Sequence, residues 1–190
     1  MATRKSVDLV LVHPGNRKKI YQNLGETLSG IEPPVWAAMM ATYVRRQGHS
    51  VMIVDPEAEN LSPEETAKRV IEIDPILAAI VVYGHQPSAS SQNMTVAGEI
   101  CTTLKKEAPS LKTAMIGGHV AALPKRTLEE ENVDFVSHGE GPVTVLELLE
   151  ALKAGEGNLS KVRGLMYMEN GRVATTTAAP NLQALEEEIP

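Results

Sequence analysis

Short runs of apolar, often β-branched residues alternate along the chain with longer segments whose apolar residues recur every three or four positions. The short runs predict five buried β-strands. They are residues 7–12, 51–54, 76–82, 113–116 and 134–136. Because each run is followed by a segment with helical spacing, the pattern predicts a parallel sheet with helices on both faces.

Several helix boundaries carry capping signals. Pro33 and Pro34 predict the start of a helix that ends near Gly48. Ser62, followed by a proline and two glutamates, predicts the N-cap of the next helix. Cys101 lies on the apolar stripe of a later helix, and we interpret it as a small buried hydrophobe. The connection between the first strand and the first helix is long, and long connections are often functional.

After the fifth strand and its helix, the pattern changes to a β-hairpin signal, in which two apolar runs flank Asn170-Gly171. The residues from 175 onward carry no core pattern and resemble a linker. We therefore expect one domain over residues 1–155, followed by a hairpin and linker over residues 156–190. Since a linker leads to another structure, we also expect the chain to be the front part of a longer protein.

The composition is ordinary for a soluble globular protein, with 43% hydrophobic and 22% charged residues. The formal net charge of -6 argues against a nucleic-acid partner, because nucleic-acid-binding proteins usually present a basic face. No signal-peptide pattern opens the chain, and no apolar stretch reaches the roughly 20 residues that span a bilayer. A single cysteine allows neither an intrachain disulfide nor a cysteine cluster for a metal. We expect a cytoplasmic protein without a membrane or nucleic-acid partner.

Four of the five histidines directly follow predicted strands, and each has a glycine or proline beside it. They are His13, His85, His119 and His138. The carboxyl ends of parallel strands meet at one edge of an open α/β sheet, and ligands bind at that edge. The sequence therefore predicts one composite site built from four loops. The fifth histidine, His49, lies at the opposite edge, and we interpret it as structural.

The loop sequences argue against several common ligands. The dinucleotide pattern Gly-x-Gly-x-x-Gly does not follow the first strand, and the P-loop and nucleophile-elbow motifs are missing. No carboxylate follows the third strand, where a phosphate-accepting receiver domain requires one. Residues 84–91 and 117–122 are instead rich in small and hydroxyl residues, which suit a large, flat, amide-decorated cofactor. Taken singly, the glycine pair also fits an ordinary turn, and the serine cluster also fits a helix N-cap.

Three segments, taken in order, carry a family resemblance: PPVWAAMMATY at 33–43, IGGHVAALP at 116–124 and VDFVSHGEG at 133–141. They resemble the N-terminal cobalamin (B12)-binding domain of cobalamin-dependent radical S-adenosylmethionine (SAM) enzymes. The resemblance covers nearly the whole chain and rests on order and spacing rather than on one motif. It implies an α/β, flavodoxin-like, doubly wound, five-stranded parallel sheet of strand order 2-1-3-4-5, with a C-terminal β-hairpin extension.

The resemblance also implies that cobalamin lies over the strand carboxyl ends and is held by four loops. The cofactor-binding residues it implies are His13, Pro14, Gly15, Asn16, Tyr83, Gly84, His85, Gln86, Ser88, Ser90, Gly117, Gly118, His119, Val120, His138, Gly139, Glu140 and Gly141. Within this set, Gly117 and Gly118 match the glycines that let the nucleotide tail enter beside the fourth strand. Glu140 is expected to meet a ribose or an amide of the cofactor.

Two departures from related modules qualify these expectations. The motif Asp-x-His-x-x-Gly, whose histidine ligates cobalt in classical methyl-carrying modules, does not follow the first strand. We therefore expect base-off cobalamin without a histidine ligand from that loop. His85 is a candidate axial neighbour of cobalt, although a polar contact or a solvated tip fits it better, and Gln86 is a candidate to hold a water there.

The second departure is that no Cys-x-x-x-Cys-x-x-Cys triad occurs. The chain alone therefore has no ligands for the 4Fe-4S cluster that cleaves SAM, and we expect a cofactor module without catalytic residues. In a complete enzyme, a C-terminal radical SAM domain would supply the cluster and SAM. The overall reaction would be methyl transfer to an unreactive carbon or phosphorus, or another cobalamin-assisted radical reaction.

Two other functions are compatible with the pattern. The four strand-tip histidines could form a stand-alone metal site, but strand tips spread over roughly 15 Å make it hard for imidazoles to meet within ~2.1 Å of one ion. A non-catalytic interaction module of the same fold is the other alternative. Trp36 is expected to pack in the core; its alternative is a wall against the corrin or the radical SAM domain.

Overall fold

A computed structural model describes residues 7–15, 32–84, 87–155 and 159–183 of the protein. Three of the predicted site residues, Asn16, His85 and Gln86, lie outside the described residues. Among the described residues, no helix combines the length and the apolar character needed to cross a membrane.

The described strands form one seven-stranded sheet in the order β2-β1-β3-β4-β5-β6-β7. The strands are β1 (Leu9–Val12), β2 (Val51–Val54), β3 (Leu77–Val82), β4 (Lys112–Gly117), β5 (Phe135–Ser137), β6 (Leu165–Glu169) and β7 (Arg172–Thr175). Strands β1 to β5 pair in parallel, whereas β6 and β7 pair antiparallel to their neighbours. The predicted order 2-1-3-4-5 is therefore confirmed for the parallel part.

Helices cover both faces of the sheet. They are α1 (Val35–Arg46), α2 (Pro56–Glu59), α3 (Pro63–Ile73), α4 (Pro87–Glu107), α5 (Gly118–Ala122), α6 (Pro124–Glu130), α7 (Pro142–Lys153) and a 3-10 turn (Leu159–Lys161). Helices α1 and α7 pack on one apolar cluster with one face of the sheet. Helices α3, α4, α5 and α6 pack on a second cluster with the other face. This is the doubly wound arrangement that the strand–helix alternation predicts.

The centre of the sheet is apolar on both faces, which explains why its sequence shows continuous rather than alternating hydrophobicity. All six residues of β3 are buried, and successive residues of the strand enter opposite clusters. Cys101 on α4 is fully buried within the second cluster, as predicted, and its burial raises the pKa of the thiol. It is therefore a packing residue, since a buried neutral thiol is a poor nucleophile.

The capping signal at Ser62 is confirmed in detail. The backbone N–H of Glu65 donates to Ser62 Oγ at 3.2 Å, and the backbone N–H of Ser62 donates to Glu65 Oε2 at 2.8 Å. This reciprocal capping box satisfies two backbone donors at the start of α3. It fixes where α3 begins and therefore how the segment after β2 crosses to the helical layer.

The predicted hairpin is present, but it continues the main sheet rather than standing apart from it. Asn170 and Gly171 have φ values of 51° and 75°, as a tight two-residue turn requires. Strand β6 pairs with β5 across Ser137 and Leu165. The pairing could not be read from the sequence because hairpin signals define the turn but not which sheet the strands join.

Side-chain contacts anchor the hairpin to α7. Arg163 donates from its backbone N–H to Glu147 Oε2 at 2.7 Å and from Nε to Glu147 Oε1 at 2.8 Å. After β7 the chain continues beside the start of β6, where Gly164 N–H donates to the carbonyl of Thr177 at 2.6 Å. These contacts hold the segment after the hairpin near the carboxyl end of β5.

Candidate functional site

The carboxyl ends of β1, β3, β4 and β5 lie at one edge of the sheet because these strands are parallel and adjacent. The loops that follow them carry most of the predicted site residues. We refer to this edge, with the residues that directly follow each of the four strands, as the carboxyl edge. The opposite edge carries His49, whose ring lies near Asp8 and Glu150 at 3.9 and 3.7 Å, in agreement with a structural role.

His13 follows β1 and is only 7% exposed. Burial lowers the pKa of its imidazole, and the carboxylates of Asp55, Glu32 and Glu57 only partly oppose this effect. The neutral imidazole is therefore favoured at this position. Pro14 is also buried, and Gly15 packs so tightly against Glu57 that a Cβ there would lie 2.7 Å from the Glu57 Cβ. The loop after β1 thus begins as a packed segment.

Replacing His13 with glutamine is expected to flatten the pH dependence of stability. A histidine whose pKa is lower in the folded state binds fewer protons there than in the unfolded chain. The unfolding free energy therefore falls as the pH drops through the unfolded pKa of about 6.5. Urea unfolding of wild type and His13→Gln at several pH values between about 7 and 5 measures this. Wild type should lose more stability than the variant over that range, whereas parallel curves would show that His13 does not contribute.

Trp36 does not pack in the core, contrary to expectation. It is 44% exposed and stacks on Tyr83, with ring centroids 4.7 Å apart and an interplanar angle of 23°. Trp36 lies in the first turn of α1, whose buried residues Ala37, Met40, Ala41 and Val44 lie further along the helix. The Tyr83 hydroxyl donates to the backbone carbonyl of Glu140 at 3.2 Å. An aromatic pair therefore links the start of α1 to the loops after β3 and β5.

Ser90 ties the loop after β4 to the end of β3. The residue is 2% exposed, and its hydroxyl donates to the carbonyl of Val82 and accepts from the backbone N–H of His119, the latter at 2.9 Å. Beside it, Ser91 Oγ lies 2.8 Å from His119 Nδ1. Ser90 therefore positions two loops relative to each other, and Ser91 orients the His119 ring at the surface. By contrast, Ser88 is exposed on the first turn of α4.

The glycine pair after β4 divides into two different positions. Gly117 is the last residue of β4 and pairs with Val82 of β3. A Cβ on Gly117 would overlap the carbonyl oxygen of Val82 and lie 2.6 Å from its carbonyl carbon. Gly118 starts α5 and is exposed, and a Cβ added there would meet nothing nearer than Ser90 at 3.7 Å. Packing against Val82 therefore requires a glycine at position 117, whereas Gly118 leaves the surface open. The neighbouring Val120 is buried in the core.

The loop after β5 has an open backbone position and one buried ring nitrogen without a hydrogen-bond partner among the described residues. A Cβ on Gly139 would meet nothing within 4 Å, so the backbone there is accessible. His138 Nε2 is buried and has no hydrogen-bond partner among the described residues. Glu140 is exposed, and its Oε2 accepts from the backbone N–H of Leu182 at 3.3 Å. Gly141 is buried at the start of α7, with φ of 102°, and an added Cβ would lie 3.0 Å from Met40 Cε.

Two residues that contribute to the site, Asn93 and Leu182, were not predicted from the sequence. Asn93 is buried on α4 and donates from Nδ2 to the backbone carbonyl of Tyr83 at 3.1 Å, which fixes the residue that carries the aromatic stack. An amide at helical spacing from Ser90 and Ala97 on the inner face of α4 was the signal that could have identified it. The contact of Leu182 with Glu140 had no local signal, because it depends on the path of the chain after β7.

The described part of the chain contains no group of three or more His, Cys, Asp or Glu side chains that could hold a metal ion. His13, His119 and His138 therefore do not form a metal site by themselves, and the four-histidine alternative would depend on His85. A groove of about 500 Å³ between helices lies elsewhere and contains none of the predicted site residues. It is lined by Glu64, Thr95, Gly98, Glu99, Thr102, Thr103 and Glu131.

The carboxyl edge fits a large, flat ligand with polar substituents. Open backbone at Gly118 and Gly139 allows close approach. The exposed indole of Trp36 supplies an apolar face, and the exposed carboxylate of Glu140 supplies a polar group. This mixture of apolar surface with a few polar groups is typical of cofactor sites.

Comparison with known proteins places this architecture in a family. The family model described as the B12 binding domain matches residues 22–149, and the chain belongs to this family. The matched range includes the loops after β3, β4 and β5 and the first turn of α1.

Curated relatives agree along most of the chain. An uncharacterized methyltransferase of Pyrococcus horikoshii is 32% identical over 184 residues, which cover 96% of this chain and 37% of the relative. The anaerobic magnesium-protoporphyrin IX monomethyl ester cyclase of Cereibacter sphaeroides is 24% identical, with 96% of this chain and 28% of the relative covered. The chain thus spans about a third of the length of the curated relatives it matches.

Solved structures share the fold. The radical SAM methyltransferase TsrM from Kitasatospora setae, with cobalamin and a [4Fe-4S] cluster bound, matches with a TM-score of 0.69 at 16% identity. The match covers 94% of this chain and 30% of that structure. The cobalamin-dependent SAM radical enzyme OxsB, with aqua-cobalamin bound, matches with a TM-score of 0.68 at 17% identity, covering 98% and 24%.

Proposed function

We propose that this chain is the cobalamin-binding domain of a B12-dependent radical SAM enzyme, most simply a methyltransferase. The observation that carries the proposal is the B12 binding domain match over residues 22–149, which includes three of the loops at the carboxyl edge. Similar solved structures whose descriptions name cobalamin and radical SAM chemistry support it. The open, partly apolar carboxyl edge agrees with such a ligand.

In this proposal, each of the four loops forms a different part of the cobalamin-binding site. The open backbone at Gly118 and Gly139 admits the cofactor, and the His119 ring, which Ser91 orients through Nδ1, offers a hydrogen-bonding group to its amides or phosphate. Gly117 and Ser90 support the site indirectly, because their packing and hydrogen bonds set the positions of the loops. The remaining members of the predicted set are proposed to contact the cofactor or, where they are buried, to support the loops that do. They are His13, Pro14, Gly15, Asn16, Tyr83, Gly84, His85, Gln86, Ser88, Val120, His138, Glu140 and Gly141.

Bound cobalamin would supply a cobalt centre that carries a methyl group, and the chain would supply binding, orientation and exclusion of water. We propose that it is held base-off, since no Asp-x-His-x-x-Gly motif follows β1 to present a histidine ligand. His13 does not take that place, because it is buried beside Asp55 and Glu57 at the root of its loop.

The complete protein in this proposal is longer than the chain. Residues 1–155 form the cobalamin-binding domain, and residues 156–190 lead through the hairpin and linker toward a radical SAM domain that holds a 4Fe-4S cluster and SAM. The greater length of the curated relatives supports this division. The contact of Leu182 with Glu140 agrees with this division, because it places part of the linker beside the proposed cofactor edge.

Titration with hydroxocobalamin, followed by desalting and a visible spectrum, tests the proposal. We expect close to one cobalamin per chain and a base-off spectrum that is unchanged in His85→Ala. Folded protein that retains no cobalamin and gives no heat of binding in calorimetry would contradict the proposal. Metal analysis of the same sample provides the control for the histidine alternative, which requires one transition metal ion per chain.

A further inference from the structure

The most unusual exposed side chain at the carboxyl edge is the tryptophan of the first turn of α1. Trp36 is the only tryptophan in the chain and is 44% exposed. Its indole is not loosely placed, because it stacks nearly parallel on Tyr83. Large aromatic side chains contribute most binding energy when they are buried by a partner, so a rigid, exposed ring indicates a surface that a ligand covers.

Tyr83, on which the indole stacks, is held in place by two hydrogen bonds. The Tyr83 hydroxyl donates to the carbonyl of Glu140, and the Tyr83 carbonyl accepts from Asn93 Nδ2. Burial raises the pKa of the Tyr83 phenol, with a smaller contribution from the Glu140 carboxylate. The phenol therefore stays protonated and remains a donor at neutral pH. Trp36 and Tyr83, which we call the aromatic platform, form a preorganised plane whose outer face is the indole.

The chemistry around the platform favours one kind of occupant. Its outer face is flat and apolar, whereas Glu140, whose carbonyl accepts from the Tyr83 hydroxyl, presents an exposed carboxylate with acceptor sites beyond the one that Leu182 uses. A flat macrocycle with primary amides around its rim matches both features, since its ring covers the indole and its amides donate to the acceptors. The platform also lies at the edge where Gly139 leaves the backbone open.

We propose that the corrin ring binds against the aromatic platform and that Trp36 is a binding residue whose planar side chain contacts the macrocycle. This inference rests on the proposed function and divides the proposed binding site into two parts. The platform receives the macrocycle, and the surface at Gly118 receives the nucleotide tail. Affinity for the macrocycle then depends on a planar side chain at position 36.

Cobinamide, which has the corrin ring but lacks the dimethylbenzimidazole nucleotide, separates the two parts of the site. Calorimetric titrations of wild type with cobinamide and with hydroxocobalamin give the reference affinities. Trp36→Leu, which is apolar but not planar, is expected to weaken both affinities by a similar factor of about tenfold. Trp36→Phe is expected to retain most of both. Val35→Ala is the matched control, since Val35 is 51% exposed on the same turn and its truncation should change neither affinity.

The outcomes are distinct. If wild type binds neither corrinoid, the proposed function fails. If wild type binds both and Trp36→Leu binds them equally well, the platform is overturned while the proposed function stands, and the indole is left as a contact for a protein segment. A loss confined to hydroxocobalamin would also overturn it, because Trp36 would then serve the tail. Circular dichroism checks that each variant is folded, which we expect because the changed side chain is at the surface.

Discussion

Gly117→Ala is expected to destabilise the protein by about 3 kcal/mol or more, or to prevent folding altogether. The physical reason is a backbone collision at the carboxyl ends of β4 and β3, where Gly117 pairs with Val82. The added methyl group would overlap the carbonyl oxygen of Val82 and lie 2.6 Å from its carbonyl carbon. Neither atom can turn away, because both belong to the main chain of a fully buried strand. Denaturant unfolding followed by circular dichroism measures the change.

Gly139→Ala is the matched control for this prediction. It adds the same methyl group at the carboxyl edge, but nothing lies within 4 Å of the new atom. Its unfolding free energy should stay within about 0.5 kcal/mol of wild type. If Gly117→Ala were as stable as Gly139→Ala, the close approach of β4 and β3 at this residue would be incorrect.

Gly118→Phe is expected to remove most cobalamin binding while leaving the fold intact. Gly118 is exposed at the start of α5, and a Cβ there meets nothing nearer than Ser90 at 3.7 Å, so the folded chain accommodates a side chain. A phenyl ring would fill the surface that the proposal assigns to the nucleotide tail. We expect the dissociation constant for hydroxocobalamin to rise by roughly a hundredfold, equivalent to about 2.7 kcal/mol.

Two comparisons make the Gly118 result specific. Gly118→Ala should bind hydroxocobalamin nearly as well as wild type, because a methyl group leaves most of the surface free. Cobinamide, which has no nucleotide, should bind Gly118→Phe and wild type with similar affinity. Equal hydroxocobalamin affinity of wild type and Gly118→Phe would place the tail elsewhere.

The positions of the parallel strands were predictable because apolar runs and capping residues act locally and agree with one another, whereas their spatial order followed only from the family resemblance. Strand β2 matches its predicted bounds, and Ser62 caps α3 as its sequence indicates. The short helices α2 and α5 were not predicted, since each is a single turn or little more and shows no apolar periodicity. The pairing of β6 with β5 depends on contacts between distant residues such as Arg163 and Glu147, which no local pattern encodes.

The candidate site was predictable in its location but not in its internal contacts. Strand ends and glycines indicate an edge, and the structure brings the described members of the predicted set to that edge. The sequence could not reveal that the Ser90 hydroxyl already bonds to Val82 and His119 within the protein. It also could not reveal that Trp36 stacks outside the core, because burial depends on whether another layer covers the first turn of α1.

Hydrogen–deuterium exchange with and without hydroxocobalamin tests whether cobalamin binds at the carboxyl edge of the sheet. With cobalamin bound, we expect slower exchange in the loops after β3, β4 and β5 and in the first turn of α1. The opposite edge, around His49, should exchange at the same rate in both samples. Protection confined to that opposite edge or to the groove around Glu131, with none at the carboxyl edge, would contradict the account.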